Sequence, residues 1–201
     1  MTNAATKTPT LNLPNALTTL RLVLVPFFGW LLLAEDGENT TLRVLAGALF
    51  LFASATDWVD GYLARKNNQV TAFGKIADPI ADKALTGVAL IGLSILGDLP
   101  WWVTGVILIR EVIVTLIRFA VIHDGVIPAS RGGKAKTVSQ MLAIFLYLLP
   151  LTDWLVSVRT VVMGVAVVLT VLTGIDYAWR AYRVRKGADL RREAFGASGK
   201  P

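Results

Sequence analysis

Long apolar runs separated by short polar stretches dominate the chain. Leu17–Ala34 is the first run, with Arg21 near its start and Pro26 as a kink position. Val44–Ala55 is too short to cross a bilayer, which takes about 20 residues. It must extend through Asp57 and Asp60 to Ala64, so its far end is polar. A third run, from about Ile76 to Leu96, also carries its acids, Asp78 and Asp82, at one end. The fourth opens on Trp101–Trp102, reaches about Ile122 and is interrupted by Arg110, Glu111 and Arg118. Val138–Leu151 is the fifth, and Val161–Ile175 forms the charge-free core of a sixth. The pattern predicts an all-α integral membrane protein with six transmembrane helices.

The segments between the runs fix the orientation. Residues 65–75, with Asn67, Asn68 and Gln69, read as a loop, and 123–137, with Arg131, Lys134 and Lys136, reads as a basic loop. With six spans these loops and both termini share one side. The opposite turns hold only Arg43 and Arg159 of the 20 Lys and Arg residues. Positive charge marks the cytoplasmic face, so the N- and C-termini are expected in the cytoplasm and the chain in the cell membrane. The chain reads as a single domain over 1–201, with disordered tails at 1–10 and from about 187 to 201.

Composition agrees with the pattern. Of 201 residues, 54% are hydrophobic and 17% charged, against roughly 25% charged in soluble domains. There is no cysteine, which excludes thiolate metal sites and thiol nucleophiles. One histidine, His123, makes a histidine metal cage or a Ser-His-Asp machine an unpromising reading. The net charge of +6 fits anionic lipid rather than nucleic acid. Five tryptophans (Trp30, Trp101, Trp102, Trp154 and Trp179) read as interface anchors.

The chemistry is concentrated in Asp57-Trp-Val-Asp60-Gly61-Tyr-Leu-Ala64-Arg65, followed by Gly74, Asp78 and Asp82. Residues three or four apart share a helix face. Asp57 and Asp60 therefore point one way from the second span, and Asp78 and Asp82 one way from the third. The loop between is short enough to bring the two faces together at the cytoplasmic ends. Four carboxylates repel unless cations lie among them. Oxygen donors alone suit magnesium, manganese or calcium rather than zinc, and a pair of such ions is the usual clamp for displacement at phosphorus. Gly61 and Ala64 leave room for a phosphorylated group near the backbone, and Arg65 is placed for phosphate oxygens. Asp78-Pro79 suits either a helix cap or a kink in a continuous helix.

These residues make the pattern Asp-x-x-Asp-Gly-x-x-Ala-Arg, eight residues, Gly-x-x-x-Asp-x-x-x-Asp. A chance match of eight fixed identities is on the order of 10⁻¹⁰ per starting position from residue usage. The pattern resembles the signature of the CDP-alcohol phosphotransferase family at every fixed position. Asn12-Leu-Pro-Asn15, Thr18, Leu20-Arg21, Asp78-Pro-Ile-Ala-Asp82-Lys83, Arg110-Glu111, Ile127-Pro-Ala-Ser130 and Gly133-Lys-Ala-Lys-Thr137 look like its phosphatidylglycerophosphate-forming branch. The resemblance implies six membrane helices with the active site at the cytoplasmic ends of helices 2 and 3, and a homodimer. It implies two divalent cations, Mg²⁺ or Mn²⁺, held by Asp57, Asp60, Asp78 and Asp82, with Asp82 also the general base. Asn15, Thr18, Asp57, Gly61, Arg65, Thr71 and Gly74 would line the CDP moiety. The implied reaction moves the phosphatidyl group of CDP-diacylglycerol to sn-glycerol 3-phosphate, releasing CMP.

Arg110 and Arg118 lie eight apart, roughly two turns, and share a face, whereas Glu111 does not share the face of Arg110. With Arg131, Lys134 and Lys136 these arginines could form a cationic pocket for the acceptor phosphate. A lipid-facing basic loop is the plainer account of the last three. An inositol-phosphate acceptor and a cardiolipin synthase are the nearest rivals. A cation transporter would place its acids near the midplane between repeats, and no repeat is visible here.

Overall fold

The structure, a computed structural model, describes residues 13–66, 72–121 and 131–198; at 14, 58–66, 72–76, 131 and 188–198 the description is of backbone alone. The described residues form six α-helices without strands: α1 (Leu13–Leu33), α2 (Thr40–Lys66), α3 (Ala72–Ile95), α4 (Trp101–Val121), α5 (Arg131–Leu148) and α6 (Trp154–Ser198). Each of the six apolar runs coincides with one helix.

The connections are shorter than the pattern predicts. α2 runs to Lys66 and α3 begins at Ala72, so helix takes both ends of the expected 65–75 loop. α3 passes through Pro79 without a break, the kinked-continuous alternative rather than the cap. The basic stretch is not loop throughout, because α5 starts at Arg131 and puts Lys134 and Lys136 in its first turns. Lysine and alanine are good helix formers, and an ion pair made by Lys136 rewards the helical conformation. Likewise α6 continues to Ser198, past residue 187, where a disordered tail was expected. The added segment is rich in Ala, Leu, Arg and Glu, all of high helix propensity.

The described residues group into two compact units. One contains α1, α2, α3 and residues 144–152. In it α1 is the central element, packing along both α2 and α3, while those two touch each other little. The buried positions of α1 are Asn15, Thr18, Arg21, Val25, Phe28, Leu31 and Leu32. Their spacing of three or four is one helical stripe, polar over its first two turns and apolar beyond. Phe28 meets Phe50 of α2 with ring centroids 5.9 Å apart. Glycine permits the approach of α1 to α3: a Cβ on Gly92 would lie 2.6 Å from Leu32 Cδ2.

At the far end of this unit Ala34–Gly37 makes a tight turn in which Glu35 and Asp36 adopt left-handed backbone, φ 51° and 53°. Asn39 then caps α2, its Oδ1 accepting from the amides of Thr41 and Leu42 at 3.0 and 3.1 Å. Arg43, one of the two cations expected on this side, donates to Asp98 Oδ2 at 2.7 Å and to the Tyr147 carbonyl at 2.8 Å.

The second unit contains α4, residues 131–143 and α6, with α4 packed along α6. Its outer faces are apolar. Ile109, Val112, Ile113, Leu116 and Phe119 are exposed on α4, and a matching row on α6 includes Val161, Val168, Leu172 and Ile175. Exposed rows of this kind are foreign to soluble monomers. Two helical segments among the described residues, Asn15–Gly37 and Trp154–Gly187, are long and apolar enough to cross a membrane. In α4 charged residues interrupt the apolar run, and in α2, α3 and α5 they take up one or both ends of the helix and shorten it. All five expected anchor tryptophans are exposed.

Candidate active site

The polar half of the α1 stripe holds the acids. Thr18 Oγ1 donates to Asp78 Oδ1 at 2.5 Å, reaching α3. Arg21 Nη1 donates to Asp57 Oδ1 at 2.6 Å, reaching α2. Thr18 and Arg21 are three residues apart, so their side chains stand on one face with Cβ atoms about 5–6 Å apart. Acids from different helices are therefore held within one turn of α1. The sequence suggests that the short 65–75 loop joins the two acidic faces; in the structure α1 is the joint.

Both donors are deeply buried, each 1% exposed. A buried guanidinium is tolerated when a carboxylate offsets the desolvation, and Asp57 does so. Ala53 of α2 and Ala77 and Ala81 of α3, within one turn of these acids along their helices, are buried. Asp82 stands one turn beyond Asp78 and is exposed. Asn15, expected at CDP, is buried one turn before Thr18, and the Thr18 hydroxyl, also expected there, is directed to Asp78.

Asp60, Gly61, Arg65 and Gly74 lie on described helical backbone, but their side chains are outside the described set, as is Thr71 altogether. The described acids alone do not assemble a group of three metal ligands; the motif's fourth carboxylate is that of Asp60. His123 and the Ile127-Pro-Ala-Ser130 stretch also fall outside the described residues.

The second unit carries its own polar cluster. Arg110 Nη1 donates to Glu111 Oε1 at 2.9 Å and Nη2 to Thr173 Oγ1 at 3.1 Å. The expectation that Glu111 and Arg110 face apart is thus corrected: the long arginine side chain bends back to its sequence neighbour. The same Glu111 oxygen accepts from Lys136 Nζ, and Lys136 is buried. The Thr173 hydroxyl is free to accept from Arg110 because its own proton goes to the Leu169 carbonyl at 2.6 Å. Gly174 leaves space for the Arg110 stem, since a Cβ there would stand 3.1 Å from Arg110 Cγ. Arg118 is exposed and lies over the Tyr177 ring, 5.9 Å from its centroid. Lys134 is exposed, and the Arg131 side chain is not among those described.

Sequence reasoning underrated Arg21 and Glu111. A charge inside an apolar run needs a partner, and for Arg21 that rule, with its three-residue spacing from Thr18, was the available signal.

Comparisons with known proteins bear on most of the chain. The family model described as CDP-alcohol phosphatidyltransferase matches residues 11–172. A Mycobacterium tuberculosis protein named "Probable phosphatidylglycerophosphate synthase" is 56% identical over 172 residues, covering 86% of this chain and 82% of that protein. A Bacillus subtilis protein named "CDP-diacylglycerol--glycerol-3-phosphate 3-phosphatidyltransferase" is 42% identical over 179 residues, 83% of this chain and 93% of that one. A Rickettsia felis protein of the same name is 39% identical over 171 residues, again 83% and 93%.

Proposed function

The chain belongs to the CDP-alcohol phosphatidyltransferase family, and we propose that it transfers the phosphatidyl group of CDP-diacylglycerol to sn-glycerol 3-phosphate, giving phosphatidylglycerophosphate and CMP. It is a phosphatidyltransferase, and the names of relatives at 56% and 42% identity support both substrates. One structural observation carries the site assignment: Asp57 and Asp78 of the motif, from different helices, are held within a single turn of α1 by Arg21 and Thr18.

The donor set fits two divalent ions, Mg²⁺ or Mn²⁺. Asp57, Asp60, Asp78 and Asp82 offer only carboxylate oxygens, and a carboxylate has about four lone-pair sites. The described donors at Asp57 and Asp78 use Oδ1 of each, which leaves capacity for cations. Bound there, the ions would neutralise pyrophosphate charge and favour displacement at phosphorus.

The protein's own groups supply the rest. Asn15, Thr18, Gly61, Arg65, Thr71 and Gly74 bind the CDP moiety, with Arg65 on phosphate oxygens. Arg110, Arg118, Arg131, Lys134 and Lys136 bind the acceptor phosphate. Asp82 takes the proton of the acceptor's 1-hydroxyl. That oxygen bonds to the lipid-bearing phosphorus, the bond from this phosphorus to the bridging oxygen breaks, and CMP departs with that oxygen.

The six helices span the cell membrane with both termini in the cytoplasm, and the enzyme works as a homodimer. Exposed apolar rows on α4 and α6 and the crowding of basic residues on one side support this topology. The test is CMP release by purified protein given CDP-diacylglycerol and Mg²⁺ or Mn²⁺. Glycerol 3-phosphate, inositol 3-phosphate, inositol, serine and phosphatidylglycerol are compared as acceptors. Glycerol 3-phosphate should be preferred; preference for another would overturn the acceptor assignment.

A further inference from the structure

Arg21 is the feature that the reaction above does not use. It sits on a helix of membrane-spanning length, is 1% exposed, and its Nη1 lies 2.6 Å from Asp57 Oδ1. Its guanidinium places a positive charge directly against that carboxylate. Burial within the helix stripe also leaves it nowhere to go. On either side of it the stripe is filled by Thr18, itself bound to Asp78, and by Val25. Any divalent ion that Asp57 helps to hold must therefore share that carboxylate with Arg21.

We propose that Arg21 is a built-in counter-cation of the acid site, neutralising Asp57 when no divalent ion is bound and weakening the hold on that ion when one is. The inference rests on the two-cation reading. Without cations the motif gathers like charges, and Arg21 removes part of that repulsion, so that α1, α2 and α3 pack whether or not metal is present. With cations, the fixed positive charge repels them and keeps their affinity moderate. The same charge adds to the positive field that meets an incoming pyrophosphate. Thr18 holds Asp78 without charge, so it orients its acid and leaves this balance untouched.

The experiment measures Mn²⁺ binding by electron paramagnetic resonance, and thermal unfolding with and without Mn²⁺, on full-length protein in detergent. Wild type, Arg21→Gln, Arg21→Lys, Asp78→Asn and the double variant Arg21→Gln/Asp57→Asn are compared. Arg21→Gln should bind Mn²⁺ more tightly, on the order of tenfold, the effect of one nearby unit charge on a divalent ion. Its melting temperature should fall without Mn²⁺ and rise more than that of wild type when Mn²⁺ is added. Arg21→Lys, which keeps the charge, should follow wild type in affinity. Unchanged or weaker Mn²⁺ binding by Arg21→Gln overturns the proposal. If Arg21→Gln folds only with Mn²⁺, that dependence supports it. If Arg21→Gln is recovered neither by Mn²⁺ nor by adding Asp57→Asn, Arg21 is a packing residue and the proposal is overturned. Mn²⁺ binding by wild type that Asp78→Asn leaves unchanged would overturn the cation reading itself.

Discussion

Lys136 of α5 and Glu111 of α4, 25 residues apart in sequence, form an ion pair in which the lysine side chain is 7% exposed. Glu111 also accepts from Arg110, so one carboxylate offsets two cations. Glu111→Gln should therefore destabilise the protein by about 3 kcal/mol, the low end for a broken buried pair. Thermal unfolding in detergent checks this. Adding Lys136→Met should recover part of the loss, because one of the two uncompensated charges is then gone.

Arg110 is fixed by Glu111 and Thr173 and given room by Gly174. If it binds the acceptor phosphate, Arg110→Ala should raise KM for glycerol 3-phosphate at least tenfold and change KM for CDP-diacylglycerol little. Steady-state kinetics with each substrate varied in turn decides the matter. Equal effects on both would make Arg110 structural.

Asp82 is exposed on α3, so its removal leaves no cavity. Asp82→Asn should lower kcat by about 10²–10⁴-fold, the usual contribution of a general base, while the melting temperature stays within a few degrees of wild type. Turnover close to wild type would remove Asp82 from the base role.

Gly92 and Gly105 make a matched pair of tests. Gly92→Ala places a Cβ 2.6 Å from Leu32 Cδ2, and overpacking of this kind costs about 1–3 kcal/mol. Around Gly105 nothing lies within 4 Å of an added Cβ, so Gly105→Ala should be neutral or stabilise α4 by up to about 1 kcal/mol through helix propensity. Unfolding midpoints of the two variants should move in opposite directions, or only the first should fall.

The helices were legible because apolar runs have a length that only a few structures satisfy, and the acids because each pair, three apart on α2 and four apart on α3, shares one helix face. What α1 does was not legible. Arg21 and Asp57 are 36 residues apart, and no local periodicity joins them; only packing shows that a threonine and an arginine on one turn reach two helices. The start of α5 was misread for a related reason. Arg131, Lys134 and Lys136 look like a solvated basic loop, yet Lys136 is drawn inward by Glu111 from another helix. Arg110 and Glu111 were separated by face geometry that holds for short side chains and fails for a guanidinium on a flexible stem.

The change from polar to apolar along the buried stripe of α1 makes this helix a ruler. Sliding α1 by one turn, about 5.4 Å, toward its own C-terminal end would carry Arg21 into the space of Val25, at the start of the apolar part of the stripe. Sliding it the other way would push Val25 against the carboxylates. Either displacement strands a charge among hydrocarbon or hydrocarbon among charges, so intermediate positions are all uphill. The distance between the apolar end of α1 and the acids is thus set by the chemistry of the stripe. In the proposed six-span topology, a membrane that thins or thickens would tilt the three helices together without retuning the spacing at which Asp57 and Asp78 are presented.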